Sequence, residues 1–298
     1  MAKKIRIVEV GLRDGLQNEK QQLSVAQKTE LIDRLVRSGH RFMEIGAYVS
    51  PKWVPQMADS DKVIHKIIPD PRYKLVDFSA LVPNEEGMRR ALAAKVPEVS
   101  VFTAASESFT QKNINCSIAE SFERFKPVLK LAKQNKIKVR GYLSTAFVCP
   151  YEGLIDPKKT IKVCEQLFQL GVYEVSVADT IGVANPKQVE VLVKKLTQKF
   201  SKKKIAMHFH DTRGMALANI VQSLELGITT FDASIGGLGG CPYAKGAAGN
   251  VATEDTVNML HEMGFSTGLD LQDLVATAKW LQTLFAKPLN SKLSKIEI

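Results

Sequence analysis

Short apolar runs rich in β-branched residues recur along this chain, and each is followed by a longer stretch in which apolar positions return every three to four residues. The first pattern occupies 5–11, 41–47, 74–82, 98–105, 138–147, 174–180, 205–211 and 230–236. The second occupies 25–38, 85–94, 118–135, 157–170, 186–200, 215–226 and 253–263. Segment 53–68 is interrupted by Pro55 and Asp59 and reads as a loop followed by a helix. Side chains alternate across a strand and repeat every 3.6 residues on a helix. Regular alternation of the two patterns therefore predicts an α/β fold, a parallel sheet with crossover helices.

Eight such units in 298 residues predict closure into a (β/α)8 TIM barrel. An open doubly wound sheet carries a GxGxxG turn after its first strand, and VGLRDG at 10–15 does not match it. Segment 269–285 predicts an additional C-terminal helical segment beyond the eighth unit. No linker or composition shift divides the chain, so residues 1–298 are read as one domain.

Barrel enzymes place their chemistry at the C-terminal ends of the strands. Polar residues fall there repeatedly: Arg13 and Asp14 after the first strand, Glu44 in the second, Asp179 closing the sixth, His208 and His210 closing the seventh. The glycine-rich loop GGLGGCPYAKGAAGN at 236–250 follows the eighth. His208 and His210 are two apart on a strand, so their imidazoles share a face and can converge on one metal. Asp14 adds an anionic oxygen, because the first and eighth strands meet on closure and the seventh lies beside the eighth. Asn250 offers an amide oxygen. Such a nitrogen and oxygen set suits Mg2+ or Mn2+, with Zn2+ as a competitor.

Arg13 beside Asp14 supplies a permanent cation for a developing oxyanion or enolate. Glu9 points towards the barrel interior and needs a partner there, either to act or to brace the site. The thiol of Cys241 sits in a loop whose glycines permit tight turns, and a mostly protonated thiol is able to donate to a carbanion.

Composition narrows the function more than the fold. Hydrophobic residues are 45% and charged residues 24% of the chain, an ordinary globular balance. The net charge of +10 resides partly in runs such as Lys202–Lys204, which read as solvated faces. Aromatics are few and not interleaved with these runs, which argues against nucleic acid as a partner. No apolar stretch approaches the ~18 residues of a membrane span, and secretory or transit signals are not evident, so a cytoplasmic protein is expected. The four cysteines, Cys116, Cys149, Cys164 and Cys241, lack metal-site spacing and read as free thiols.

Six segments together closely resemble the 3-hydroxy-3-methylglutaryl-CoA (HMG-CoA) lyases, in the metal-dependent lyase and acyltransferase group of barrels. They are VEVGLRDGLQNEK at 8–20, VSPKWVPQM at 49–57, CPYEG at 149–153, ADTIG at 178–182, HFHDTRG at 208–214 and the loop at 236–250. The resemblance implies cleavage of HMG-CoA to acetyl-CoA and acetoacetate with Mg2+ or Mn2+. By position it implies Asp14, His208, His210 and Asn250 as metal ligands, Arg13 as the enolate-stabilising cation and Cys241 as the protonating thiol. Glu9, Glu44 and Asp179 match acidic residues around the site, and His208 and Asp179 are both candidates for removing the hydroxyl proton. Homodimerisation is a further family expectation.

An acyl-CoA substrate brings the lysines back into the argument. Lys202–Lys204 precede the seventh strand and so lie at the wrong end, whereas Lys20, Lys52, Lys112 and Lys245 fall in catalytic-end loops and are candidates for the CoA phosphates. Ala47 stands where many relatives carry a hydroxyl residue. The lack of a cysteine-containing tail after Ile298 matches a bacterial-type form. Rival readings are a lyase for another 3-hydroxyacyl-CoA, a condensing enzyme joining acetyl-CoA to a 2-oxo acid, a 2-oxo-acid aldolase, or a silent barrel used for binding.

Overall fold

The computed structural model describes residues 2–240 and 249–297. Eight parallel strands close into a barrel: β1 (Arg6–Glu9), β2 (Phe42–Ala47), β3 (Asp77–Leu81), β4 (Glu98–Ala104), β5 (Lys138–Ser144), β8 (Glu174–Asp179), β9 (Ile205–Phe209) and β10 (Thr230–Ala233). Between β5 and β8 a short antiparallel hairpin, β6 (Val148–Cys149) and β7 (Gly153–Leu154), stands outside the barrel. Closure is made by β1, which pairs with β2 on one side and in continuous register with β10 on the other. The eight expected strands are all present in the expected order.

The helices form the outer ring: α1 (Val25–Arg37), α2 (Ser60–Ile67), α3 (Glu85–Ala93), α4 (Glu107–Ile114), α5 (Ile118–Gln134), α6 (Pro157–Leu170), α7 (Pro186–Lys199), α8 (Ala216–Glu225), α9 (Thr253–Glu262) and α10 (Leu271–Phe285). Their starts follow local chemistry. Ser24, Ser117 and Asn185 each form a reciprocal capping box, and Pro157 and Pro186 occupy the first turn, where a missing N–H costs nothing. The additional helix, α10, packs beside α1, with the Arg34 guanidinium 4.6 Å from the centre of the Trp280 ring. The apolar faces of the ring helices bury against the outward residues of the strands, where side chains such as Phe209, Phe231 and Leu31 are almost wholly buried. Each such side chain contributes roughly 1.5–3 kcal/mol of transfer free energy.

Several strands end earlier than their apolar pattern, for identifiable reasons. The pattern at 138–147 stops at Ser144 because Thr145 takes a left-handed conformation (φ 52°), with its N–H donated 2.7 Å to Thr180 Oγ1. The pattern at 230–236 stops at Ala233, since Gly236 and Gly237 (φ 67° and 64°) turn the chain into a short 3-10 segment. β9 ends at Phe209, and His210 continues only as a single bridge to Asn250. Helix α4 was not anticipated; its weak amphipathicity hides it, although Ser106 caps it in the usual way.

The barrel interior is not the stack of branched apolar layers common in this architecture. Arg140, Glu174, Asp232, Glu44, Ser100 and Ser176 are all buried there. Charge in such a place is tolerated only when paired. Here Arg140 donates from Nε to Glu174 at 2.8 Å and from a terminal nitrogen to Asp232 at 2.7 Å. Arg6 closes the lower end of the column on Glu174.

Candidate active site

The chain leaves β1 through a tight turn, Gly11–Gly15, which carries Arg13 and Asp14 over the C-terminal mouth. A Cβ at Gly11 would lie 2.6 Å from Glu9 Oε1, so a larger residue there would displace the carboxylate that accepts the Gly11 N–H. Across the mouth, β9 delivers two imidazoles whose ring centres are 5.2 Å apart. Asp14 Oδ2 lies 3.8 Å from His208 Nε2 and 3.7 Å from His210 Nε2. One donor atom from each of Asp14, His208 and His210 falls within 4.8 Å of the others, a spacing that could hold a cation. Asn250 joins them by donating Nδ2 to Asp14 Oδ2 at 2.9 Å, and its Oδ1 is buried with no partner among the described residues. His210 Nδ1 is also buried without a partner among the described residues.

Arg13 is almost wholly buried, which is costly unless several anions surround it. Its Nε donates to Glu44, a terminal nitrogen donates to Asp14 at 2.7 Å, and its guanidinium sits 4.8 Å from the centre of the Tyr142 ring. Burial opposes the charge, but Glu44 and Asp14 outweigh it and hold the guanidinium above its usual range. Burial likewise pushes the Asp14 carboxyl up, yet Arg13 and the two imidazoles hold it well below the usual carboxylate range. Asp14 is therefore an anion across the physiological range, as a cation ligand must be.

Glu44, Glu9 and Asp179 all lie close by, but none lines the cavity among the described residues. Glu44 accepts from Arg13 and from the Ser100 hydroxyl. Glu9 Oε1 accepts the N–H groups of Gly11 and Ile235 at 2.7 and 3.0 Å, and Oε2 accepts the Thr253 hydroxyl at 2.7 Å. Burial raises its pKa to about 7. It thus ties the β1 turn to the base of the glycine loop. Asp179 accepts from Val183 and Ala184 N–H, at 3.2 and 2.9 Å, and so holds the loop after β8.

Above the cluster opens a cavity of about 900 Å3, with Arg13, Asp14, His208 and His210 among its lining residues and Tyr142, Phe102 and Phe109 as apolar walls. Of the lysines considered for CoA phosphates, Lys112 lines this cavity; Lys20 and Lys52 are exposed and do not. Cys241 and Lys245 lie outside the described residues.

Helix α4, which provides one wall, is held by the hairpin that follows β5. Glu152 accepts the Ser106 hydroxyl at 2.6 Å and the Ser108 N–H at 2.9 Å, and Cys149 Sγ lies 3.0 Å from Ser106 Oγ. Lys112 Nζ sits 4.2 Å over the Tyr151 ring. The segment CPYEG therefore has a local purpose in fixing a cavity wall. Sequence reasoning also missed Arg140, Tyr142 and Asp232. Their signal was available, as polar residues at the inward positions of otherwise apolar strands.

Fold and cluster define a (β/α)8-barrel enzyme with a candidate cation site at the catalytic end of the barrel. More narrowly, the chain belongs to the HMGL-like family, whose pattern it matches over residues 4–281. It is 48% identical over 295 residues to a 3-hydroxy-3-isohexenylglutaryl-CoA/hydroxy-methylglutaryl-CoA lyase of Pseudomonas aeruginosa, covering 99% of this chain and 97% of the relative. It is 50% identical over 268 residues to the hydroxymethylglutaryl-CoA lyase of Pseudomonas mevalonii, covering 90% of this chain and 88% of the relative.

Among solved structures, the hydroxymethylglutaryl-CoA lyase of Pseudomonas aeruginosa superposes with a TM-score of 0.94 at 48% identity, over 99% of this chain and 97% of that one. An HMG-CoA lyase from Acinetobacter baumannii in complex with coenzyme A and 3-methylmalate superposes with a TM-score of 0.93 at 36% identity, over 98% and 94%. Among the described residues, no helix is long and apolar enough to cross a membrane.

Proposed function

We propose that this chain is a hydroxymethylglutaryl-CoA lyase, cleaving HMG-CoA to acetyl-CoA and acetoacetate with a divalent cation. The observation that carries the reading is the convergence of Asp14, His208 and His210 on one point beside the buried Arg13, in a chain of this family. The donor set fits a cation on structural grounds. It offers one fixed anion, two imidazole nitrogens and, on Asn250, a buried amide oxygen without a partner among the described residues. Asp14, His208, His210 and Asn250 would hold the ion, with Mg2+ or Mn2+ the proposed occupant. When bound, it supplies Lewis acidity to the substrate's C3 oxygen and an adjacent carbonyl or carboxylate.

The remaining steps rest on the chain's own groups. The C3 hydroxyl loses its proton, the C2–C3 bond breaks, and its electron pair passes into the thioester as the acetyl-CoA enolate. Arg13 is the fixed cation for that enolate, held in advance by Glu44 so that no reorganisation is needed as charge develops. Of the two groups considered for accepting the hydroxyl proton, Asp179 is turned into backbone N–H groups, and His208, on the cavity floor, has no free nitrogen while its Nε2 faces the cation, so neither is assigned as the acceptor. Cys241 is the proposed donor that converts the enolate to acetyl-CoA. Lys112, over the Tyr151 ring at the cavity wall, is the candidate contact for the CoA phosphates. A cavity of about 900 Å3 suits a substrate with a long arm.

The test is acetoacetate release from HMG-CoA with Mg2+ or Mn2+, and again with excess EDTA. Release abolished by EDTA and restored by added cation is expected. A folded protein that binds the cation but leaves HMG-CoA intact would overturn the reading and point to another 3-hydroxyacyl-CoA.

A further inference from the structure

His208, on β9, and His210, just beyond it, reach the same point, yet among the described residues only His208 has a built support behind it. Asp232 on β10 is the Cα partner of His208 on β9, so both side chains enter the barrel at one level. Asp232 Oδ2 lies 3.2 Å from His208 Nδ1. The same oxygen accepts the Ser176 hydroxyl at 2.6 Å, and Oδ1 accepts from Arg140 at 2.7 Å. Arg140 is itself fixed by Glu174, and it donates to the Tyr142 hydroxyl at 3.0 Å. All of these groups are buried, so each hydrogen bond is made where water cannot replace it.

We propose that Asp232 is the positioning residue of the site. It fixes His208 in the Nδ1–H tautomer, which leaves the Nε2 lone pair directed at Asp14 and the cation. The argument is one of donors and acceptors. A carboxylate gripped by an arginine has only acceptors to offer, so the imidazole nitrogen facing it must carry the hydrogen. In the neutral ring Nε2 is then the nitrogen with the free lone pair, and it is the one 3.8 Å from Asp14 Oδ2. Among the described residues His210 has no equivalent, since its Nδ1 is unpartnered. The interior salt-bridge column from Arg6 to Asp232 thereby acquires a purpose beyond filling the barrel: it fixes the base on which one ligand is oriented.

The inference rests on the cation reading given above, and the test separates the two. Nitrogen-15 chemical shifts of His208 in the metal-free wild-type protein report its tautomer directly. Nδ1–H is expected, and Nε2–H would overturn the proposal whether or not any metal binds.

Mn2+ titration by calorimetry then compares wild type with Asp232→Asn. In the variant the amide oxygen stays on Arg140, and its NH2 faces His208 Nδ1, which reverses the tautomer. Mn2+ affinity should fall about 10- to 100-fold, as is usual when the outer partner of a metal-bound histidine is lost. A folded variant with wild-type tautomer and wild-type affinity would overturn the assignment while leaving the cation site intact. If the variant does not fold, the wild-type tautomer decides alone. Absence of Mn2+ binding by the wild type would instead count against the cation reading.

Discussion

The Glu44 carboxylate, fully buried on β2, receives the Nε–H of Arg13 from the turn after β1. That contact fixes a cation at the cavity floor before any substrate arrives. It also explains how an arginine can be buried there: its charge is shared between Glu44 and Asp14. Replacing Arg13 by Gln should lower kcat by about 10²–10³, or ~2.7–4 kcal/mol of transition-state stabilisation, with KM changed far less. Steady-state kinetics on HMG-CoA measures this. Equal loss through KM alone would mean that Arg13 holds ground-state substrate, not the enolate.

His210→Ala removes one of the two imidazoles facing Asp14. Affinity for Mn2+ should weaken by at least the roughly 10- to 100-fold seen for outer-shell partners, because a direct donor is lost. Calorimetry with the metal-free protein is the measurement. Wild-type affinity would strike His210 from the ligand set.

Glu254 supplies a pH-dependent prediction about stability. It is buried at the start of α9 and accepts the Gly236 N–H at 3.0 Å. Burial raises its pKa from 4.5 to about 8, so the folded protein retains a proton that the unfolded chain has released. Its contribution to stability is therefore full below pH 4.5 and is lost progressively as pH rises to about 8. Glu254→Gln imitates the protonated form. Relative to wild type, it should gain a few kcal/mol between pH 5 and pH 8, at about 1.4 kcal/mol per pH unit as an upper bound. Urea unfolding at several pH values checks this; a constant difference would show that Glu254 does not titrate in that window.

Glu152 tests whether the hairpin after β5 holds the cavity wall. Glu152→Ala removes the acceptor for both the Ser106 hydroxyl and the Ser108 N–H at the start of α4. A cap contribution of ~1 kcal/mol would appear as about a fivefold rise in KM for the acyl-CoA, with kcat nearly unchanged. An unaltered KM would detach the hairpin from substrate binding.

Sequence and tertiary structure divided the work along physical lines. The number of strands, their order and the positions of the helices were legible because they follow from a period of two against one of 3.6 and from local caps such as Ser24 and Asn185. The core of the candidate site was legible for the same reason. His208 and His210 share a face by strand geometry, and Asp14 reaches them because closure joins β1 to β10, beside β9.

What local patterns do not contain is the partner of a buried charge. Arg140 and Asp232 look like single polar interruptions of β5 and β10, and only barrel closure brings them to 2.7 Å. Glu9 and Asp179 fell among the acidic residues of the site by sequence, yet the folded chain directs both into backbone N–H groups. The sequence by itself determined the (β/α)8 alternation and which candidate donors stand at the mouth. The tertiary structure alone decided which carboxylates face the cavity and which hold it in shape, because that choice depends on hydrogen bonds between segments far apart in the chain.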